Sequence, residues 1–339
     1  MLQRLIYALC GLVLLGQIGH TIWQKTSISP HVVVELSHAR EQHLDGKDIV
    51  VAVLDEGFDH THASLKEQFS PYRYNTNDRT RDISETLIFE DGQYKFESHG
   101  THVTGIILSL APQVKIIPIK ISGFGGDQAF VKALQIAASS PAHIVNISMR
   151  LSLTGREISP NVRTALIQLA KEGKLIVIAA GNESAPMMKY AYTASLVELA
   201  HHPLMQGHLL LVGASSYKNG TEALAEFSNY PGESSFGMAQ TYFITAPGEH
   251  ITSTITDGLF GEKSGTSMAA PLVAGAASLL KQAFSQLKTE EIAHLLLTSA
   301  RKVSLDGKNL PRNHFGTGIV NLKSALEQGK SFSTYTRHE

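Results

Sequence analysis

The 339-residue chain has a single cysteine, Cys10, and it lies in an apolar leader rather than in the body. The body therefore has no internal disulfide and no thiolate metal site, whatever compartment the protein occupies. An excess of charge of one sign is equally lacking. Lys and Arg number 29 against 30 Asp and Glu, the net charge is −1, and no Lys/Arg-rich run occurs, so no nucleic-acid partner is expected. The HExxH zinc pattern is missing, and no Gly-x-Ser-x-Gly elbow surrounds Ser267. These absences weigh against zinc peptidase and α/β-hydrolase chemistry. No repeat, low-complexity tract or long linker interrupts the body, which reads as one domain over residues 48–329. With 43% hydrophobic and 17% charged residues, the chain has the composition and length for a sizeable core.

The first 24 residues have the order of an export signal: Arg4, an apolar run over 5–15, then Gly16 and Gly19. The uncharged span from Leu5 to Trp23 is also long enough to cross a bilayer, so an uncleaved anchor that associates the protein with a membrane is the alternative. Leu9 before Cys10 departs from a lipoprotein signal. The expected location is outside the cytoplasm: secreted, periplasmic or anchored on the outer side. A short polar segment, 25–47, leads to the domain, and 330–339 reads as a tail.

Residues 49–54, Ile-Val-Val-Ala-Val-Leu, form a continuous β-branched run, the pattern of a strand buried on both faces of a parallel sheet. Similar strands are predicted at 115–121, 144–149, 175–180, 209–214 and 243–248, with helices at 127–139 and 160–172 and a hairpin around Asp91-Gly92. Such alternation predicts a three-layer α/β fold: a mostly parallel central sheet with helices on both faces. A helix over 289–300 is predicted with Thr289 as its cap, followed by a last short helix.

Small residues lead to Ser267 in Gly265-Thr266-Ser267-Met268-Ala269-Ala270-Pro271, and an Ala/Leu/Val helical pattern follows with a proline read into its first turn. Ser267 is thus expected at a helix N-terminus, where unpaired N–H groups favour developing negative charge. A serine that merely caps a buried helix is the plain alternative. Asp55 ends the first strand in Leu54-Asp55-Glu56-Gly57, and His99 opens a glycine-punctuated helix start, Ser98-His99-Gly100-Thr101-His102. A nucleophilic serine needs a base within reach and a carboxylate that fixes the base's tautomer. Asn182, after the apolar strand ending Ala179-Ala180-Gly181, is a candidate oxyanion donor beside the N–H of Ser267. The rival reading of Asp55, Asp59, His60 and His62 as a metal cluster lacks a metal-ligand pattern.

Taken together, Val53-Leu54-Asp55-Glu56-Gly57-Phe58-Asp59, His99-Gly100-Thr101-His102-Val103-Thr104-Gly105, Ala180-Gly181-Asn182 and Gly265-Thr266-Ser267-Met268-Ala269-Ala270-Pro271 resemble the four signatures of the subtilisin-like serine peptidases, in that family's order. The resemblance covers residues 48–326. It implies an endopeptidase acting on protein or peptide substrates, with Asp55 orienting His99, His99 as general base and acid, Ser267 as nucleophile and Asn182 as oxyanion donor. Ser148, Met149 and Arg150 align with the segment that pairs with the substrate backbone as an added strand. His62 and His102 match structural positions. A catalytically restrained relative that binds peptides or scaffolds a complex is the alternative function.

Four departures from the family pattern stand out. Glu56 replaces the usual serine or threonine after the aspartate, and is expected to face solvent. Arg150 stands where glycine is usual. The stretch 106–115 is too short for the loop that holds calcium in many relatives, so structural calcium is not predicted, and the chemistry requires no cofactor. Only about 25 residues separate the leader from the catalytic start, fewer than the roughly 40 an independent domain usually needs, so a folding-assisting pro-domain is not expected. Met187, Met188, Tyr190 and Tyr192, in a long hydrophobic segment over 184–208, are expected mainly to pack in the core.

Overall fold

The apolar strand runs pair into one eight-stranded sheet, side by side in the order 243–247, 209–218, 175–179, 144–147, 50–55, 115–120 and 74–75, with 221–224 added alongside 209–218. The computed structural model describes residues 30–335 apart from 79, 91–92, 122–125, 153–155, 219–220, 234–237, 306–307 and 310–311. The leader and the turn of the hairpin at 91–92 lie outside the described residues. In chain order, α1 (Pro30–Glu41) precedes β1 (Val50–Asp55), β2 (Tyr74–Asn75) and the hairpin β3 (Leu87–Glu90) and β4 (Gln93–Phe96). Then come α2 (His99–Leu110), β5 (Lys115–Lys120), α3 (Gly126–Ser139), β6 (Ile144–Ile147), α4 (Pro160–Lys171) and β7 (Leu175–Ala179). The second half holds α5 (Ala191–Ala200), β8 (Leu209–Lys218), β9 (Thr221–Leu224), β10 (Phe243–Pro247), and the hairpin β11 (Ile251–Ile255) and β12 (Leu259–Lys263). Helices α6 (Thr266–Ala283), α7 (Thr289–Ser299), the one-turn α8 (Arg312–Phe315) and α9 (Leu322–Tyr335) close the chain.

Every strand pair in the main sheet is parallel except β8 with β9. The continuous apolar runs follow from burial on both faces. Along β1, Val51 and Val53 enter the core shared with α2, α6 and α7, while Ala52 and Leu54 enter the core beneath α3, α4 and α5. The three-layer arrangement expected from the sequence is the one observed.

Two expectations about helix ends are corrected. α6 starts at Thr266, so Pro271 sits inside the helix rather than in its first turn. Proline there cannot donate to the Ser267 carbonyl, and the Ser148 hydroxyl donates to it instead at 3.0 Å, which replaces the bond that proline removes. The cap of α7 is Lys288, whose backbone N–H donates to the Glu291 carboxylate at 2.7 Å. Thr289 turns its hydroxyl away to the Gly173 carbonyl at 2.7 Å. The last helix is also longer than predicted: α9 spans 14 residues and passes through the position where the tail was placed.

The segment before the domain is built into the fold. Arg40 of α1 donates to the carbonyls of Leu44 and Leu110 at 2.7 and 2.6 Å, so it caps the far end of α2. Gln282 of α6 accepts from the N–H groups of Asp45 and Gly46. Among the described residues no helix is long and apolar enough to cross a membrane.

Candidate active site

Three neighbouring parallel strands, β1, β6 and β7, bring Asp55, residues 148–150 and Asn182 to their carboxyl ends. Functional groups collect at that edge of an open α/β sheet. Helices α2 and α6 lie on one face and begin there, presenting His99 and Ser267.

Asp55 is completely buried, and its Oδ1 accepts from His99 Nδ1 at 2.8 Å and from the Glu56 N–H at 2.9 Å. The approach is close because residue 100 is glycine: a Cβ there would stand 2.3 Å from the Gly57 carbonyl oxygen and 2.9 Å from Asp55 Cβ. Any other side chain would push the start of α2 away from the strand end. With Nδ1–H committed to Asp55, the lone pair of His99 falls on Nε2. Burial alone would lower the His99 pKa. The charge and hydrogen bond of Asp55, with Glu97 behind them, outweigh burial and the opposing Lys263 and hold it above the ordinary histidine value. One turn along α2, His102 is buried with Nε2 at 3.1 Å from the Gly261 carbonyl, and burial drives its pKa down to about 3.

Ser267 is half-buried in the first turn of α6. Its hydroxyl donates to the Ser148 carbonyl at 2.8 Å, and no hydrogen bond joins it to His99 among the described residues. The Ser148 hydroxyl accepts from Asn146 at 3.0 Å and donates to the Ser267 carbonyl. The first turn of α6 is thus moored to the end of β6 from both directions.

Asn182 is exposed, and its Oδ1 accepts from both the N–H and the hydroxyl of Thr266, each at 2.9 Å. Those two donors identify the oxygen, so Nδ2 is the donor end, and it lies on the side of Gly265. A Cβ built on Gly265, whose φ is +157°, would lie 3.3 Å from Asn182 Nδ2 and 3.6 Å from the Ser267 nitrogen. Glycine therefore keeps open a small space between two N–H donors beside the Ser267 hydroxyl. A carbonyl oxygen gaining charge there would meet both.

Two residues beyond Ser148, Arg150 forms an ion pair with Glu183, and its guanidinium lies 5.8 Å from the centroid of the buried Tyr192 ring. Glu183 also accepts from Asn229 Nδ2 at 2.5 Å, while Asn229 Oδ1 receives the N–H groups of Glu183 and Ala185, each at 3.1 Å.

The structure thus brings Asp55, His99, Ser267, Asn182, Ser148, Met149 and Arg150 to one edge of the sheet. His62 and His102 instead bond the carbonyls of Leu259 and Gly261 on the β11–β12 hairpin. Glu56 does not face solvent as expected. It is half-buried, and burial with the neighbouring Asp55 raises its pKa while His99 opposes. Met187 and Tyr192 pack in the core, whereas Tyr190 is 40% exposed. Sequence reasoning missed Thr266, Glu97 and Glu183. Each adjoins a recognised residue or lies two positions away, but its role depends on a partner far along the chain. Among the described residues, no group of three or more His, Cys, Asp or Glu is arranged to hold a metal ion. The connection 111–114 between α2 and β5 carries no carboxylate.

A family profile described as "Subtilase family" matches residues 46–318. The chain is 31% identical over 249 residues to the Major intracellular serine protease of Bacillus subtilis (strain 168), covering 70% of this chain and 69% of that one. It is 30% identical over 308 residues to Subtilisin Savinase of Lederbergia lenta, covering 86% and 96%. Among solved structures, fervidolysin from Fervidobacterium pennivorans, described as a keratinolytic enzyme related to subtilisin, superposes with a TM-score of 0.67 at 26% identity. That match covers 86% of this chain but only 44% of the fervidolysin chain.

Proposed function

Because this chain belongs to the subtilase family, we infer that it is an exported serine endopeptidase, cleaving protein or peptide substrates through an acyl-enzyme at Ser267. The observation that carries the reading is the 2.8 Å bond between buried Asp55 and His99 Nδ1, which leaves Nε2 as the acceptor for a proton. In the reaction, the Ser267 hydroxyl turns from the Ser148 carbonyl to His99. Its proton passes to Nε2 as Oγ bonds to the substrate carbonyl carbon. The oxyanion sits between Asn182 Nδ2 and the Ser267 N–H, and imidazolium formation is stabilised by Asp55. His99 then protonates the leaving amine, the C–N bond breaks, and a water activated by the same imidazole hydrolyses the ester. The Ser148 carbonyl, released by the serine, is free to accept a substrate backbone N–H as residues 148–150 pair with the peptide.

Export rests on the order of the leader, Arg4 and then the apolar run, and not on the relatives, one of which is named as intracellular. No step requires a metal. A second reading, a restrained relative that binds peptides without turnover, is favoured by one observation: the Ser267 hydroxyl is engaged by Ser148 rather than by His99. Apo sites commonly tighten only on substrate binding, so turnover remains the conclusion. Labelling with a fluorophosphonate probe decides between the two. The wild-type protein is expected to label, and Ser267→Ala and His99→Ala are expected to abolish labelling. Failure of folded wild type to label would establish the silent reading.

A further inference from the structure

The space beside Ser267 dictates where the substrate residue on the acyl side of the cleaved bond must lie. Its carbonyl carbon meets Ser267 Oγ once the hydroxyl has turned from the Ser148 carbonyl, and its oxygen enters between Asn182 Nδ2 and the Ser267 nitrogen. The attached Cα therefore leaves between residues 148–150 and 182–183. Those two segments follow the carboxyl ends of neighbouring parallel strands, β6 and β7, and lie beyond the last paired residues, Ile147 and Ile178. Arg150 and Glu183 bridge the segments at their outer end.

Hydrogen-bond accounting shows what that bridge offers a side chain. Each oxygen of Glu183 already has a donor, Oε1 from Arg150 and Oε2 from Asn229. Asn229 is in turn fixed by the backbone of Glu183 and Ala185, so the carboxylate is held in place. A guanidinium has five N–H donors. The one described hydrogen bond of Arg150 uses Nη2, and its side chain is 49% exposed. The bridge thus presents spare guanidinium donors, while the Glu183 carboxylate already has a charged donor on one oxygen and an amide donor on the other.

Resting on the reading of Ser267 as nucleophile, we propose that Arg150 selects the substrate side chain on the acyl side of the scissile bond and favours a carboxylate, Asp or Glu. Such a side chain completes the fork of the guanidinium without disturbing the Glu183 pair. A basic side chain meets the like charge of Arg150 and must compete with it for Glu183, which is already paired. A large aromatic one must displace the guanidinium from its seat over Tyr192.

The test uses the full chain and fluorogenic peptides that differ only at that residue, carrying Glu, its neutral isostere Gln, Lys or Phe. Fluorophosphonate labelling of the same preparation reports the nucleophile separately. The expected result is a kcat/KM for Glu about tenfold above Gln, the scale of one charge-assisted hydrogen bond, with Lys lowest. Arg150→Gln should bring the Glu and Gln peptides within about twofold of each other, while Glu183→Gln should keep the order Glu above Gln. A labelled wild-type enzyme that treats Glu and Gln alike, or prefers Lys or Phe, overturns the proposal alone. That wild-type ratio decides the matter even if Arg150→Gln fails to fold. A Glu preference that survives in folded Arg150→Gln overturns the assignment to Arg150. Absence of labelling overturns the peptidase reading and this inference with it.

Discussion

The Asp55–His99 and Arg150–Glu183 pairs each join an acid to a base at the carboxyl edge of the same sheet, yet their surroundings differ. The Asp55 side chain has no exposed surface and that of His99 is 24% exposed; for Arg150 and Glu183 the figures are 49% and 24%. A charge interaction strengthens as water is excluded and weakens where solvent screens it. The inner pair is therefore suited to fixing a tautomer and a proton affinity. The outer pair holds little energy and remains available to a third charged group. The same kind of contact is thus suited to proton transfer in one place and to selection in the other.

The strongest way to break this contrast is to neutralise the inner pair. Asp55→Asn keeps the size of the side chain but removes the charge that holds Nδ1–H, so His99 is free to adopt the wrong tautomer. The expected loss in kcat is about 10⁴-fold, a scale taken from relatives with this triad rather than from this chain. Steady-state kinetics on an unselective peptide, with a thermal melt to verify folding, measures it.

The oxyanion space comes next. Asn182→Ala removes one of its two donors and should lower kcat by about 10²–10³-fold with little change in KM, again on the scale known for subtilisin. Gly265→Ala should match or exceed that loss, since its Cβ would occupy the space itself, 3.3 Å from Asn182 Nδ2. A Gly265→Ala enzyme with unchanged kcat would show that the oxyanion lies elsewhere.

Proton affinity sharpens the comparison further. His99 acts as a base only when neutral, and Asp55 and Glu97 hold its pKa above the ordinary value against burial. Activity is therefore lost as pH falls through a value above about 6.5. Glu97 contributes to raising that value, so Glu97→Gln should move the acid limb of kcat/KM to lower pH, by less than about one unit because Glu97 pairs with Lys263 rather than with the imidazole. A limb that moves upward would reverse the assigned sign.

Much of this was legible in the sequence because the residues that make the fold are local runs. The β-branched stretch at 49–54 and its counterparts announced a parallel sheet; Asp55 and Asn182 stood at the ends of such runs and His99 and Ser267 at helix starts, each within two residues of a glycine. What escaped the sequence depends on side chains meeting across long separations. Glu56 reads as solvated beside a turn, but burial under neighbouring elements raises its pKa. Pro271 reads as an N-terminal signal, yet the helix begins five residues earlier, and Ser148, 119 residues before Ser267, satisfies the Ser267 carbonyl that proline leaves open. Thr289 reads as a cap, but a carbonyl 116 residues earlier takes its hydroxyl. Local pattern carries no information about such partners.

The smallest effect falls on the outer pair. If Arg150–Glu183 were structural in the sense that Asp55–His99 is, removing it would lower the melting temperature; the exposure of its guanidinium argues otherwise. Surface ion pairs are worth about 0–1 kcal/mol, because desolvation and side-chain ordering offset the attraction. Arg150→Gln also loses the contact over Tyr192, which is small at a solvent-facing site. The expected change in unfolding free energy is thus under about 1 kcal/mol, read by thermal or denaturant melting at low and high salt. A larger loss, insensitive to salt, would mean that Arg150 anchors the segment after β6 on Tyr192, and the outer pair would then share the structural character of the inner one.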